Sequence, residues 1–120
     1  MATKRELKKI IRNTCAGMAL EIISAGDVFE QIDPKDVEQI VYDCALLQMK
    51  TLSRLNIAFD RGRADFDNPH DYKTARNSYY HKAYKALMAD FGKELEVIVA
   101  RMNTAMPDDV KKILKEAANG

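Results

Sequence analysis

One long helix, predicted between residues 68 and 102, constrains the fold more than any other feature of the chain. Asn68 suits the N-cap, because its side chain can accept hydrogen bonds from the free amides of the first turn. Pro69 suits the first helical position, and Asp71 adds negative charge near the positive end of the helix dipole. Such a helix spans about 50 Å, more than a compact core of this chain requires. We therefore take it as the element along which the other segments are organised.

Helices 1 and 2 are predicted from apolar residues at helical spacing. Thr3 and Glu6 form a capping box at the start of helix 1, and Gly26 offers a stop, although the apolar stripe continues beyond it. Helix 2 starts with Asp33 as its N-cap and Pro34 at the first helical position, and its apolar spacing continues to Phe59. Further apolar residues widen the surface of helix 2 beyond one stripe, which is typical of a central helix or of an interface. These residues are Leu46, Met49 and Ile57.

The remaining segments are short. Residues 60–67 form the predicted loop, because Gly62 and several acids disfavour a helix there. A short last helix is predicted to begin near Pro107. No strand pattern is present, so the sequence predicts one all-α domain over residues 1–120. Its fold class is an up-and-down helical bundle of three long helices plus a short C-terminal helix.

Composition excludes several classes of protein. The chain is 47% hydrophobic and 31% charged, as in ordinary globular domains that need neither a disulfide nor a metal to fold. The N-terminus is polar and no apolar run approaches the length of a membrane span. We therefore expect a cytoplasmic protein without membrane contact and without a cofactor. Cys15 and Cys44 lie on apolar stripes and are predicted to be free, buried thiols, with a bridge between helices as the alternative.

Helix 3 has two apolar faces, and the second one predicts an interface. The first is a stripe from Tyr80 to Met102 that can fill the core of one chain. The second follows the first half of the helix, where alanine and tyrosine allow another helix to approach closely. Its residues are Tyr72, Ala75, Tyr79, Ala83 and Ala86. We expect a second copy to cover this face in a symmetric homodimer. The alternative is a monomer in which helices 1 and 4 cover both faces.

The charged residues are unevenly placed although the net charge is only +1. Residues 4–12 and 73–85 are basic, whereas residues 21–43 hold seven acids against Lys35 alone. The simplest interpretation is a set of solvated helix faces. The alternative is that the basic, tyrosine-containing face of helix 3 binds single-stranded RNA without catalysis. The small net charge argues against RNA as a partner, and we expect no binding to DNA.

Arg76, Asn77 and His81 fit the pattern of an arginine, a polar residue, three other residues and a histidine. This pattern resembles the signature of HEPN domains, small four-helix bundles of which many are metal-independent ribonucleases that act as dimers. The resemblance implies that Arg76 binds the scissile phosphate and that His81 transfers a proton to or from the 2′-hydroxyl or the leaving oxygen. Asn77 would be the polar partner of His81. Arg63 and His70 fit the loose form of the pattern, across a loop and a proline.

Acidic residues and one histidine near the start of helix 3 include ligand types suited to a divalent ion. They are Asp65, Asp67, His70 and Asp71. We attribute the acids to helix capping instead, so the sequence predicts no metal site. It also contains no phosphate-binding loop, dinucleotide fingerprint or nucleophile elbow.

The segment KRELKK at residues 4–9, followed by Asn13-Thr14-Cys15, resembles the start of short, uncharacterised, all-helical bacterial proteins. That resemblance implies a bacterial cytoplasmic bundle but no chemistry. We therefore interpret the chain as a helical-bundle protein that acts by association with itself, as a homodimer, or with a protein partner. The alternatives are an HEPN-like ribonuclease and non-catalytic RNA binding by helix 3.

Overall fold

Four α-helices and one 3-10 turn make up the computed structural model, which describes residues 3–119. The helices are α1 (Lys4–Val28), α2 (Pro34–Arg54), α3 (Pro69–Ala105) and α4 (Asp108–Asn119), and the 3-10 turn is Arg63–Asp65. No strand occurs within residues 3–119. The predicted fold class, an all-α bundle of three long helices and a short C-terminal helix, is confirmed.

The predicted N-caps form the expected hydrogen bonds. The backbone N of Glu6 donates to Thr3 Oγ1 over 3.2 Å, and Glu6 Oε2 accepts from the backbone N of Thr3 over 3.4 Å, which completes the capping box of α1. Asp33 Oδ1 accepts from a backbone amide in the first turn of α2 over 2.9 Å. Asn68 Oδ1 accepts from the backbone N of Asp71 over 2.9 Å at the start of α3. The start of each long helix is therefore set by a local side chain.

The ends of the helices follow the predictions less closely. The helix α1 continues past Gly26 to Val28, and α3 continues to Ala105. The prediction that α2 extends to Phe59 is wrong, because the helix ends at Arg54. Residues 55–68 form an irregular segment in which the 3-10 turn is the only helical part. This segment is longer than the predicted loop because Phe59 contacts α3 instead of continuing α2.

The central helix is α2, which packs against α1 on one side and against α3 on the other. Buried side chains from all three helices form one hydrophobic cluster. Its most deeply buried large members are Ile11, Ile22, Leu55 and Leu87. The short helix α4 is anchored by Val110, which is fully buried, and by a hydrogen bond of 3.1 Å from Gln31 Nε2 to Asp109 Oδ2.

Three ion pairs connect α2 to the second half of α3. They are Lys50–Glu94, Arg54–Asp90 and Arg101–Asp43. Arg54 is the last residue of α2. Its pairing with Asp90 therefore means that residues 69–89 of α3 extend past the end of α2, and the irregular segment 55–68 folds back along them.

The bundle is elongated and thin, with extents of 65 × 29 × 18 Å. Its radius of gyration is 19.8 Å, whereas a compact domain of this length has about 14 Å. Its accessible surface is 8469 Å², whereas a compact monomer of this mass exposes about 6,600 Å². The chain therefore exposes roughly 1,900 Å² more than its size requires.

Candidate functional site

The second face of α3, predicted to be an interface, is partly covered by the chain's own irregular segment. The ring of Phe59 lies 6.0 Å from that of Tyr72 and 5.4 Å from that of Tyr79, measured between centroids. Phe66 lies 5.7 Å from Tyr72, and the backbone N of Phe59 donates to the hydroxyl of Tyr80 over 3.1 Å. Segment 55–68 thus packs against the first half of α3, just as α2 packs against the second half.

The alanines of that face are covered to different degrees. Ala75 and Ala83 are half-buried, and Ala86 is exposed. The sequence predicted a second copy or other helices as the cover of this face, whereas the aromatic side chains of segment 55–68 cover part of it. That a second copy binds this face stays a prediction, and only the region around Ala86 is open for it.

The three residues of the HEPN-like pattern do not converge on one depression within a chain. Arg76 and Asn77 line a shallow depression of ≈340 Å³ together with Thr3, Lys4, Ile57, Tyr80 and Tyr84. His81 is exposed and is not among the lining residues. It lies about 140° from Arg76 around the helix, at 100° per residue. Arg76 and His81 therefore lie on different sides of α3.

The two cysteines are free and buried, as predicted. Burial, and secondarily the neighbouring thiol of Cys44, raises the pKa of Cys15 to about 11. Burial, and secondarily the charge of Asp43, raises the pKa of Cys44 as well. A raised pKa keeps both thiols protonated near neutral pH, which makes them poor nucleophiles.

The acids near the start of α3 take part in local hydrogen bonds. Asp65 Oδ2 accepts from the backbone N of Gly62 over 2.8 Å, and Asp71 Oδ2 accepts from Asn68 Nδ2 over 3.1 Å. Within residues 3–119, no three side chains of His, Cys, Asp or Glu are grouped so that they could hold a metal ion. These two carboxylates are thus engaged in capping.

The outer face of α1 is a surface that the sequence alone did not indicate as a site. A stripe of exposed residues runs along it at steps of three and four, which is the spacing of one helix face. In chain order the stripe is Arg5, Lys9, Arg12, Ala16, Leu20, Ile23 and Asp27. It begins with three cations, continues with three uncharged residues and ends with an acid.

A matching exposed stripe runs along α2, and we call the two stripes together the α1–α2 face. The residues on α2 are Glu38, Tyr42, Ala45 and Met49. Three large apolar side chains of the face are mostly exposed: Leu20 by 63%, Met49 by 62% and Tyr42 by 60%. Between the stripes lies a groove of ≈390 Å³ whose lining residues are all uncharged. They are Cys15, Ala16, Ala19, Val41, Cys44, Ala45, Gln48, Met49 and Leu52.

Charge is ordered along the α1–α2 face. A Cβ atom placed on Gly26 would lie only 2.8 Å from Cγ2 of Val37. The end of α1 therefore lies beside the start of α2. Asp27 and Glu38 therefore lie at the same end of the face. The three cations of the α1 stripe lie at the opposite end, and the middle is uncharged and apolar.

A second apolar groove, of ≈530 Å³, lies between the end of α1, the end of α3 and α4. It includes Val28, Met102, Met106 and Leu114 among its lining residues. Ile113 and Leu114 of α4 remain 48% and 39% exposed, so α4 covers this groove incompletely. Unlike the α1–α2 face, this groove has no charge order that indicates an occupant.

Comparison of the chain with models of protein families, with curated proteins and with solved structures finds no match in any of the three. In the part of the chain that the structure describes, no helix is long and apolar enough to cross a membrane. A functional proposal therefore depends on the geometry of the bundle itself.

Proposed function

We propose that this protein acts by self-association, as an antiparallel two-fold pair formed through the α1–α2 face. The observation that carries the proposal is the charge order of this face, which is basic at one end, apolar in the middle and acidic at the other. Two-fold contacts use the same surface patch on both subunits. A face whose two ends carry opposite charge is complementary to itself when one copy is reversed.

The antiparallel orientation follows from electrostatics. With the two copies reversed, the cations Arg5, Lys9 and Arg12 of one face the acids Asp27 and Glu38 of the other. A parallel pair would set like charges against each other, which disfavours that orientation. The charges at the two ends thus determine the relative orientation of the two copies, and the apolar middle supplies the area that is buried between them.

The middle of the face combines protruding and small side chains. Leu20 and Met49 project from the surface, whereas Ala16 and Ala45 leave space for side chains of another copy. The excess exposed surface of the chain, roughly 1,900 Å² by the scaling of compact monomers, exceeds the 800 Å² or so that each partner buries in a standard interface. A second copy on this face would bring the exposed area towards that of a compact protein.

The HEPN-like ribonuclease requires a different pairing. Two copies joined in reverse through α1 and α2 carry the first halves of their α3 helices at opposite ends of the assembly. The two His81 side chains would then be far apart, whereas the HEPN resemblance implies that two motifs face each other. The pairing proposed here therefore does not assemble that active site.

Sedimentation equilibrium over a range of protein concentrations tests the proposal. We expect the wild type to reach twice the mass of the chain and Leu20→Glu and Met49→Glu to remain monomeric, because each variant buries an unpaired charge at the centre of the interface. Ala86→Glu, on the exposed part of the α3 face, and Ile113→Glu, on α4, should associate like the wild type. Circular dichroism checks that all four variants stay folded.

Two results would contradict the proposal. One is a wild type that stays monomeric up to several hundred micromolar. The other is loss of association in Ala86→Glu together with normal association of Met49→Glu, which would move the interface to α3.

A further inference from the structure

We propose that the end of the bundle where α1 begins binds single-stranded RNA. The site consists of five cations that we call the basic end: Lys4, Arg61, Arg63, Lys73 and Arg76. None of them belongs to the apolar middle or the charged ends of the α1–α2 face. The proposal is therefore independent of self-association.

The fold brings basic segments that are distant in sequence to one end of the molecule. Residues 4–12 carry five cations and one acid, and residues 60–85 carry six cations and four acids. The formal charge of these segments is thus +6, and still +3 without Arg5, Lys9 and Arg12 of the α1–α2 face, although that of the whole chain is +1. Thr3 and Lys4, at the start of α1, line the same depression as Arg76 and Asn77 from α3. The small net charge of the chain therefore conceals a strongly positive end.

The cations of the basic end are not neutralised by ion pairs. In residues 3–119, the lysine and arginine side chains that form ion pairs closer than 4.0 Å are Lys50, Arg54 and Arg101, and these pairs lie between α2 and α3. The nearby carboxylates of Asp65 and Asp71 accept hydrogen bonds from Gly62 and Asn68 respectively. The positive field at this end is available to phosphates, which supply most of the affinity of nucleic acids for proteins.

Three arginines of the basic end lie over aromatic rings. The guanidinium carbon is 4.7 Å from the ring centroid for Arg61 over Phe66. It is 5.7 Å from the centroid for Arg63 over Tyr72 and for Arg76 over Tyr80. A guanidinium held by a ring keeps its edge donors free for phosphate and offers its outer face to a stacked base. Alternating cationic and aromatic groups of this kind are typical of surfaces that bind single strands.

The same groups fit a membrane surface or duplex DNA less well. The rings of Phe59, Phe66, Tyr72 and Tyr79 are half-buried against one another, so none of them projects as an apolar anchor for lipid. Thr3, which carries a hydroxyl, and Asn77, which carries an amide, are among the residues that line the depression beside Arg76. Such groups can bond the 2′-hydroxyl and the exposed base edges of an RNA strand, which a DNA duplex does not present.

Fluorescence anisotropy with a labelled oligouridine of about 12 nucleotides tests this site, since single-strand sites on small domains are of that order. The variant Lys4→Gln/Lys73→Gln/Arg76→Gln removes three positive charges from the basic end. Each phosphate contact contributes a slope of about 0.7 in the dependence of log K on log salt for single strands. We therefore expect the slope of the variant to be shallower by about 2 and its affinity in about 0.1 M salt to fall about 100-fold.

The matched control removes the same charge from the opposite end of the bundle. The variant Lys111→Gln/Lys112→Gln/Lys115→Gln changes three exposed lysines of α4 and should retain wild-type affinity and slope. The proposal is overturned if the wild type does not bind the oligonucleotide, or if both triple variants lose affinity equally. It is also overturned if duplex DNA, an acidic peptide or vesicles of anionic lipid bind as tightly as RNA and with the same dependence on the basic end.

Discussion

Replacing Gly26 by alanine tests how closely α1 and α2 approach each other. A Cβ atom at this position would lie 2.8 Å from Cγ2 and 3.7 Å from Cγ1 of Val37. Valine is branched at Cβ and has few alternative rotamers in a helix, so its methyl groups cannot easily move away. Gly26 has no positive φ, so the helices' close approach, and not the backbone conformation, is what favours glycine here.

Two opposing terms set the magnitude. Alanine in place of glycine within a helix stabilises by about 1 kcal/mol, whereas an extra carbon forced into a packed contact costs about 1–3 kcal/mol. We therefore expect Gly26→Ala to lower the free energy of unfolding by about 1 kcal/mol, which lowers the melting temperature by about 4 °C. Gly17→Ala is the control in the same helix. Apart from the adjoining backbone of α1, no atom lies within 4 Å of the Cβ that this variant adds. Gly17→Ala should therefore raise the melting temperature by a similar amount.

Thermal unfolding followed by circular dichroism at one fixed protein concentration measures both effects. The double variant Gly26→Ala/Val37→Ala removes both close methyl groups and leaves the Cβ of residue 37 at 3.8 Å. Its loss of stability should be smaller than the sum of the single losses by about 1–2 kcal/mol. If Gly26→Ala stabilises as much as Gly17→Ala, the close approach of α1 and α2 is refuted.

Two further predictions concern side chains that can exchange protons or take part in a reaction. The raised pKa of Cys15 means that the folded state keeps the thiol proton between the ordinary value of 9.0 and about 11, so the free energy of unfolding should fall as pH rises across this interval. Urea unfolding at several pH values should show a shallower fall for Cys15→Ala, and equal slopes would contradict the assignment. For the HEPN-like pattern, cleavage of a labelled single-stranded RNA pool in EDTA is compared between the wild type, His81→Ala and Arg76→Ala. Metal-independent cleavage lost in both folded variants would establish the ribonuclease, whereas cleavage that is absent or survives both substitutions would exclude it.

The starts of the helices could be predicted from sequence because they depend on neighbours in the chain. Thr3, Asp33 and Asn68 each accept a hydrogen bond from a backbone amide no more than three residues away. The end of α2 could not be predicted in this way. Phe59 continues the helical spacing of apolar residues, yet it leaves the helix to pack its ring on Tyr79. That contact joins residues far apart in sequence, so no local pattern reveals it.

The candidate site was harder to derive than the fold. The basic and acidic runs of α1 and α2 are visible in the sequence, but their positions on one exposed face depend on which stripe each helix buries. Leu20 and Met49 are large apolar residues of the kind that usually fill a core. Only the packed bundle shows that they are more than half exposed. The interface on α3 was predicted from the second apolar face, of which segment 55–68 covers a part.

Charge exchange between two variants is the most direct test of antiparallel self-association through the α1–α2 face. One variant carries Arg5→Glu, Lys9→Glu and Arg12→Glu, and the other carries Asp27→Lys and Glu38→Lys. Each variant alone sets like charges against each other in the antiparallel pair, so we expect both to sediment as monomers. An equimolar mixture should form a one-to-one complex with twice the mass of the chain, because opposite charges then meet at both ends of the pair. Variants that each associate like the wild type, or a mixture that stays monomeric while the wild type pairs, would contradict this arrangement.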